Sequence, residues 1–287
     1  MNAIILAAGI ASRFVPLSYE KPKGLFEVRG ERLIERQIRQ LLQAGVSDIT
    51  LVLGYKAELF QYLREKYGVK TVLNEDYRRY NNISSLVKVI DCLDNTFICC
   101  SDHYFNRNVF LEQPGHSYYA ALFANGETNE YCLTTNENDQ IVEVGVGGAN
   151  CWYMAGHAFF SHDFSVVFKR FLEHDYKNES MRHFYWEDVF VRHLKYLPMS
   201  IMRCCDDDIR EFDTFDELRC FDSSYLMDSQ SSIIKDICMQ MGCNEWELTG
   251  FQVIPEIKES FMFCKSGMKY GFNIKTRVIH DMSTEAR

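Results

Sequence analysis

The chain carries no C-x-x-C pair among its eleven cysteines, no long basic tract and no apolar stretch of membrane-spanning length. It also lacks the two best-known phosphate-binding patterns, G-x-x-x-x-G-K-[ST] and G-x-G-x-x-G after a strand. Each absence removes a class. The cysteine count is odd and includes the adjacent pairs Cys99-Cys100 and Cys204-Cys205, so neither a zinc ribbon nor a disulfide framework is indicated. Reduced, mostly buried thiols are the better reading. A formal net charge of −9 without a basic stripe argues against nucleic-acid binding. A small anionic ligand stays compatible, because local lysines and arginines set the field of a pocket. Without a long apolar stretch no membrane span is expected. Met1 to Ala8 is too short for the apolar core of a leader, so the expected compartment is the cytoplasm.

What is present is concentrated at the start. Residues 3–30 read AIILAAGIASRFVPLSYEKPKGLFEVRG. The run Ile4 to Ala8 has the character of a buried parallel strand. Its end, Leu6-Ala7-Ala8-Gly9, leads into Ala11, Ser12 and Arg13, and Lys23 follows in a Lys-Pro-Lys. Small residues leave backbone N–H groups bare for phosphate oxygens, and Gly9 permits close approach of a ligand. Arg13 and Lys23 supply positive charge. The combination reads as a triphosphate cradle on the first strand of an α/β domain.

The stretch L-A-A-G-x-A-S-R followed by P-K resembles the signature of nucleotidyltransferases, in particular the bacterial cytidylyltransferases that activate phosphocholine. The resemblance covers roughly the first 225 residues. Many members of that family have Gly where this chain has Ala11, which crowds the turn. The resemblance implies a Rossmann-like mixed, mostly parallel α/β sheet and transfer of CMP from CTP to phosphocholine, with release of pyrophosphate. It implies Mg²⁺ as cofactor, held by two aspartates that match Asp102 and Asp213. Asp102 follows an apolar strand, at the carboxyl end where open α/β sheets bind ligands. Taken alone, Asp213 before Thr214-Phe215-Asp216-Glu217 reads as a helix N-cap; the family spacing turns the reading toward a metal ligand. Arg13 and Lys23 are the catalytic expectations, acting on the phosphates; Lys21 is less secure, since relatives often lack a lysine there.

Further residues are carried over from the resemblance. Gly54-Tyr55 resembles a base-side turn, and Tyr80-Asn81-Asn82-x-x-Ser85-Leu86 resembles a segment beside the nucleotide, which makes Asn82 and Ser85 contact candidates; the plain alternative is a helix N-cap. The segments containing Glu130, Tyr131, Tyr185, Trp186 and Glu187 resemble those around the choline pocket, and Trp152 and Tyr153 are added candidates. A quaternary ammonium takes no conventional hydrogen bond and is best held by aromatic faces with a carboxylate nearby. With 14% aromatic residues most of these rings are expected in the core. Tyr131 stands where relatives have Trp, and His103 where they have Asn. A sugar-1-phosphate, or another phosphorylated amine or phosphonate such as 2-aminoethylphosphonate, is the alternative acceptor. A non-catalytic nucleotide-binding subunit is the alternative of another class. A homodimer is compatible with this reading.

Strand–helix alternation through residue 101 predicts a mostly parallel sheet: helices over 31–44, 57–67 and 82–93, and strands over 49–53, 70–73 and 96–100. Strands over 117–123, 130–135, 141–146 and 153–160 form an expected inserted meander. Helices over 164–174 and 186–194 follow. The expected division is a nucleotidyltransferase domain over 1–225 and a small α+β appendage over 226–287. That appendage faintly resembles the start of a choline-kinase-type amino lobe, with no catalytic loop of a kinase, and Ser266-Gly267 is its expected hairpin turn.

Overall fold

In the computed structural model, which describes residues 1–112, 115–255, 257 and 259–282, the chain folds as two compact units. One comprises Met1–Gly9 and Leu33–Glu211; the other comprises Ile10–Arg32 and Phe212–Arg287. The division expected at residue 225 follows chain order. The compact units do not, because the segment 10–32 packs with the C-terminal residues.

The first unit is built on a mixed sheet. The strand Asn2–Ala7 lies parallel to Asp48–Leu53 on one side and to Thr96–Cys100 on the other; Asp48–Leu53 pairs in parallel with Lys70–Leu73. The strand Trp152–Phe160 turns the sheet antiparallel by pairing with Thr96–Cys100, His157 opposite Cys99. It also carries Tyr118–Phe123 and Glu127–Thr135, and Ile141–Ala149 lies at the edge. Alternation along the strands sorts the core. Ile4, Leu6, Ile98 and Phe160 join Ile83, Leu86, Phe164, Phe168, Trp186 and Phe190 in one buried cluster. Phe97 instead meets Phe110, His157 and Phe159. Both faces of the sheet are therefore covered, as the unbroken apolar run Ala3–Ala8 requires.

Several expected helices are shorter than the periodicity suggests. Glu31 and Arg32 are not helical: they pair with Glu27 and Val28 in a hairpin whose turn residues Arg29 and Gly30 both have positive φ, and the helix begins at Leu33. The stretch 82–93 is a single α turn and a half, Ile83–Val87, followed by a 3-10 turn, Ile90–Cys92. A two-stranded ladder, His103–Phe105 with Ile209–Glu211, had no readable alternation in the sequence.

The second unit holds a four-stranded antiparallel sheet, Leu248–Val253, Ser260–Lys265, Met268–Asn273 and Val278–Asp281, with the helix Ser232–Met241. Ser266 and Gly267 both take positive φ between Lys265 and Met268, the two-residue turn expected there. Its core is aromatic: Phe215, Phe251, Phe261, Phe263 and Phe272 form a chain of ring contacts. Among the described residues no helix is long and apolar enough to cross a membrane, and all eleven cysteines are free of disulfides.

Candidate active site

The end of the first strand is shaped by its neighbours. Gly54, at the end of Asp48–Leu53, passes so close that a Cβ there would lie 2.8 Å from Tyr77 Cβ and 2.9 Å from Ala8 Cβ. The Tyr55 N–H then donates to the Ala8 carbonyl at 3.1 Å. Gly54 therefore serves backbone approach, and Tyr55 ties the second turn to the first. Gly9 is exposed, and a side chain there would meet nothing within 4 Å among the described residues. The fold itself places no steric demand on it, so the small residue leaves room for a ligand.

Asp102 follows Thr96–Cys100, with its carboxylate half-buried. The side chain of Gln37 donates to the carbonyls of Cys100 and His103, both at 2.9 Å, which fixes the backbone on either side of Asp102. His103 stands in register with Glu211, and its Nε2 lies 3.2 Å from Glu211 Oε2. Cys100, Asp102 and His103 offer ligand atoms within 4.8 Å of one another. Burial pushes the Cys100 thiol well above its ordinary value, reinforced by the charge of Asp102.

Asn82 and Ser85 part company. Ser85 is buried, and its hydroxyl accepts from Asn74 at 2.9 Å, so it fastens the helix to the end of Lys70–Leu73. Asn82 precedes Ile83–Val87 but does not cap it. Its Oδ1 accepts from the Trp186 N–H at 2.8 Å, and its Nδ2 reaches Glu187 Oε2 at 3.5 Å. It caps a helix 104 residues away, Trp186–Arg192.

Around that helix start lies an acidic and aromatic cluster. Glu187 is buried; Tyr119 donates its hydroxyl to Glu187 Oε1 at 3.0 Å, and no cation pairs with the carboxylate among the described residues. Burial pushes the Glu187 pKa up to about 7, against the lowering effect of its hydrogen bonds to Tyr119 and Asn82. Tyr131 donates to Asp188 Oδ1 at 2.9 Å, while Asp188 Oδ2 accepts from the Tyr185 N–H at 2.8 Å. Asp188 thus joins Tyr131 and Tyr185, whose ring is exposed.

Two of the expected acceptor aromatics are placed differently. Trp186 is only 1% exposed, stacked on Tyr119 at 5.7 Å and flanked by Phe160 and Phe168. With its faces covered it backs the cluster and presents no face to a ligand. Trp152 is half-buried, with the Arg203 guanidinium 5.4 Å from its ring centroid. Glu130 is exposed on Glu127–Thr135. Tyr119 was not singled out in the sequence, and Asp188, which closes the segment Tyr185-Trp186-Glu187-Asp188 that resembles the choline-pocket segment, was not named as a contact in its own right. The spacing Tyr185-x-x-Asp188, a capping box in the structure, was the available signal for Asp188.

In the second unit, Ala11 has φ 53° and ψ 49°, a left-handed conformation. A glycine at that position carries no Cβ penalty, which accounts physically for the family's preference. Ser12–Phe14 is a 3-10 turn, and Arg13 Nη1 lies 2.7 Å from Asp213 Oδ1. Thr214, not Asp213, caps the helix Phe215–Phe221 by accepting from the Glu217 N–H at 3.2 Å. The Asp213 carboxylate is thereby left to Arg13. Lys23 is buried, with its ammonium 4.9 Å from the Phe14 ring centroid.

Residues 3–135 match the MobA-like NTP transferase domain family. A 2-aminoethylphosphonate cytidylyltransferase of Lancefieldella rimae is 36% identical over 78% of this chain and 93% of its own length. A choline-phosphate cytidylyltransferase of Haemophilus influenzae is 32% identical over 76% and 94%. The solved CTP:phosphocholine cytidylyltransferase of Streptococcus pneumoniae superposes with a TM-score of 0.75 at 30% identity, covering 78% of this chain and 98% of that one. An inositol-1-phosphate CTP transferase of T. maritima, 17% identical with a TM-score of 0.58, shares the fold.

Proposed function

The chain belongs to the cytidylyltransferase branch of the nucleotidyltransferases, and from that premise we propose that it transfers CMP from CTP to phosphocholine, giving CDP-choline and pyrophosphate. The observation that carries the acceptor is Glu187: a buried carboxylate with hydrogen-bond partners but, among the described residues, no cation, set among tyrosines. Such a group is costly to ionise until a positive head group arrives. Phosphocholine brings that charge, and the exposed Tyr185 ring offers a π face for its methyl groups.

Arg13 and Lys23 hold the triphosphate. Leu6 to Gly9, Ala11 and Ser12 provide its backbone cradle, and Gly54 with Tyr55 braces the base side. The acceptor phosphate is largely dianionic at neutral pH, its second pKa being about 6, so its oxygen attacks the α-phosphorus without a dedicated general base. Pyrophosphate leaves, and the enzyme contributes positioning and charge stabilisation. Asp102 and Asp213 would hold Mg²⁺. The donor chemistry fits: the Cys100 thiol resists ionisation and His103 is engaged by Glu211, which leaves carboxylate oxygens as the ready donors. Bound there, the ion would neutralise charge on the reacting phosphate. A cytoplasmic location accords with eleven unpaired thiols.

A second reading rests on the same carboxylate. A primary ammonium hydrogen-bonds to Glu187 where a quaternary one does not, and this favours 2-aminoethylphosphonate as an acceptor in its own right. Pyrophosphate release across CTP, UTP, dTTP and GTP, each with phosphocholine, 2-aminoethylphosphonate and glucose 1-phosphate, tests both. Release with CTP and phosphocholine is expected to exceed the rest. Preference for the phosphonate moves the assignment to the second reading, and preference for the sugar phosphate overturns both.

A further inference from the structure

The relatives are nearly used up by three quarters of this chain, 93–98% of their own lengths against 76–78% of its length. These matches leave somewhat more than a fifth of the chain uncovered, and the described part of the C-terminal module within residues 229–281 is somewhat smaller than that. That module is not a passenger on the far side of its unit. Three consecutive residues between Arg13 and Lys23 are held by it. The Tyr19 hydroxyl donates to the Ser260 carbonyl at 3.3 Å, and its ring lies 6.2 Å from Phe261. Glu20 Oε1 accepts from the Ser232 N–H at 2.8 Å and from the Ser232 hydroxyl. Lys21 donates to Gln230 Oε1 at 3.1 Å.

The Glu20 contact has a specific physical basis. Ser232 opens the helix Ser232–Met241, and its N–H is one of the donors that a helix cannot satisfy internally. Ser231 already caps Ile234 at 3.2 Å, and Glu20 supplies the second acceptor with a charge that complements the helix dipole. The module also holds the segment carrying Asp213. Asp216 Oδ2 accepts from the Gly250 N–H at 3.0 Å, and the buried Arg219 donates to the carbonyls of Leu248 and Glu245. Ser12 and Arg13 face Gly250–Val253 across a cavity of about 370 Å³.

We infer that the C-terminal module is a positioning element for the nucleotide site, with Glu20 as the residue through which it sets the loop that carries Arg13 and Lys23. This rests on the assignment of those two cations to the triphosphate. Between Ser12–Phe14 and Lys23–Leu25 the chain has only the four-residue helix Leu17–Glu20. Ordering such a loop when the nucleotide binds costs conformational entropy for every residue fixed. Anchoring its midpoint in advance removes part of that cost and raises affinity without touching the ligand. Lys21, a basic residue beside the signature, is explained on the same terms: it faces the module, and burial lowers its pKa despite the opposing charge of Glu27.

The test uses the full-length protein, with calorimetric CTP affinity and separate KM values for CTP and for the acceptor. Glu20→Ala is expected to raise Kd and KM for CTP by about 5–10-fold, with the acceptor KM changed by less than about 2-fold. Glu20→Gln keeps an acceptor for Ser232 and is expected to restore most of the loss. Should Glu20→Ala fail to fold, Tyr19→Phe removes only a hydroxyl and is expected to raise the CTP Kd by about 2–3-fold. A lowered Tm with CTP affinity unchanged overturns the inference and leaves the module a stabilising addition. A parallel rise in both KM values overturns it as general loosening. Arg13→Ala separates the two levels. If it leaves CTP affinity intact, the triphosphate assignment itself falls; if it weakens CTP while Glu20→Ala does not, only the positioning role falls.

Discussion

Tyr119 and Glu187 share a hydrogen bond of 3.0 Å in a buried setting, with the phenol donating and the carboxylate accepting. Burial raises the pKa of both groups: Glu187 to about 7, and Tyr119 far above its ordinary value. The folded state therefore favours the protonated carboxyl. Since the folded pKa exceeds the unfolded one, the stability contributed by Glu187 is fully present below about pH 4.5 and is lost as pH rises through about 7. The span corresponds to about 3 kcal/mol. Glu187→Gln is expected to flatten that part of the stability–pH curve and to raise the acceptor KM by about 10-fold or more, leaving the CTP KM near its original value. Denaturant titrations at pH 5, 6, 7 and 8 on both proteins check the first expectation. Curves that remain parallel would remove Glu187 as the titrating group.

Trp186 and Tyr185 are adjacent in sequence yet belong to different worlds. Trp186 is packed between Tyr119, Phe160 and Phe168, whereas Tyr185 is 46% exposed. Trp186→Leu is expected to cost roughly 2–4 kcal/mol of stability through the cavity it leaves. Tyr185→Leu is expected to cost little stability and to raise the phosphocholine KM by an amount equivalent to roughly 0.5–2 kcal/mol. Thermal denaturation and acceptor KM measured on the same two variants separate core from contact. A large KM effect from Trp186→Leu at unchanged stability would reverse the assignment.

The segment proposed to cradle phosphate stands out in the sequence because its chemistry is local: an apolar strand, small residues and two cations within 23 positions. The alternating strands of the sheet were legible for a similar reason, since one residue pattern reports one buried face. What escaped was set by distant partners. Asn82 looks like the cap of its own helix, and nothing nearby reveals that it caps Trp186–Arg192. Ser85 shares its segment but answers to Asn74. Glu20 and Ser232 are 212 residues apart, so no window of sequence contains the contact. The hairpin before Leu33 was hidden because the charged Glu31 and Arg32 suit a helix's first turn as well as a strand, although Arg29 and Gly30, both with positive φ, decide the start. Trp186 was ambiguous because an aromatic beside acidic residues suits a ligand pocket and a helix start packed on the core equally well.

Gly54 tests the geometry of the first turn. A methyl group there would sit 2.8 Å from Tyr77 and 2.9 Å from Ala8, both on backbone-proximal carbons that cannot swing away. Gly54→Ala is expected to lower stability by roughly 1–3 kcal/mol and to weaken CTP binding by displacing Ala8. Ala11→Gly is the opposite case: it relieves a left-handed Ala at φ 53°, offset by greater unfolded-state freedom, for a net gain of less than about 1 kcal/mol. Chemical denaturation of the two variants beside the parent checks the signs. A neutral Gly54→Ala would mean that the turn tolerates a shift the packing does not suggest.

The Arg13–Asp213 ion pair bears on how metal and nucleotide arrive. Both side chains are substantially exposed, 68% and 43%, so the pair is worth little in itself and exchanges readily. On the proposed reading each partner has a stronger engagement in the loaded enzyme, Arg13 with phosphate oxygens and Asp213 with Mg²⁺. Binding of the one then releases the other, and metal and nucleotide affinities are linked reciprocally. Asp213→Asn is expected to lower kcat by about 100-fold or more and to shift the Mg²⁺ dependence to higher concentration. The fold should be kept, because Thr214 still caps Phe215–Phe221. Asp102→Asn is expected to lower turnover comparably. Removal of Mg²⁺ with EDTA should abolish turnover in the parent and weaken CTP binding. Titrations of CTP at several fixed Mg²⁺ concentrations in the parent and in Asp213→Asn decide the linkage: the CTP Kd should fall with added Mg²⁺ in the parent and lose most of that dependence in the variant. Equal dependence in both proteins would take Asp213 out of the metal site and leave it a partner of Arg13 alone.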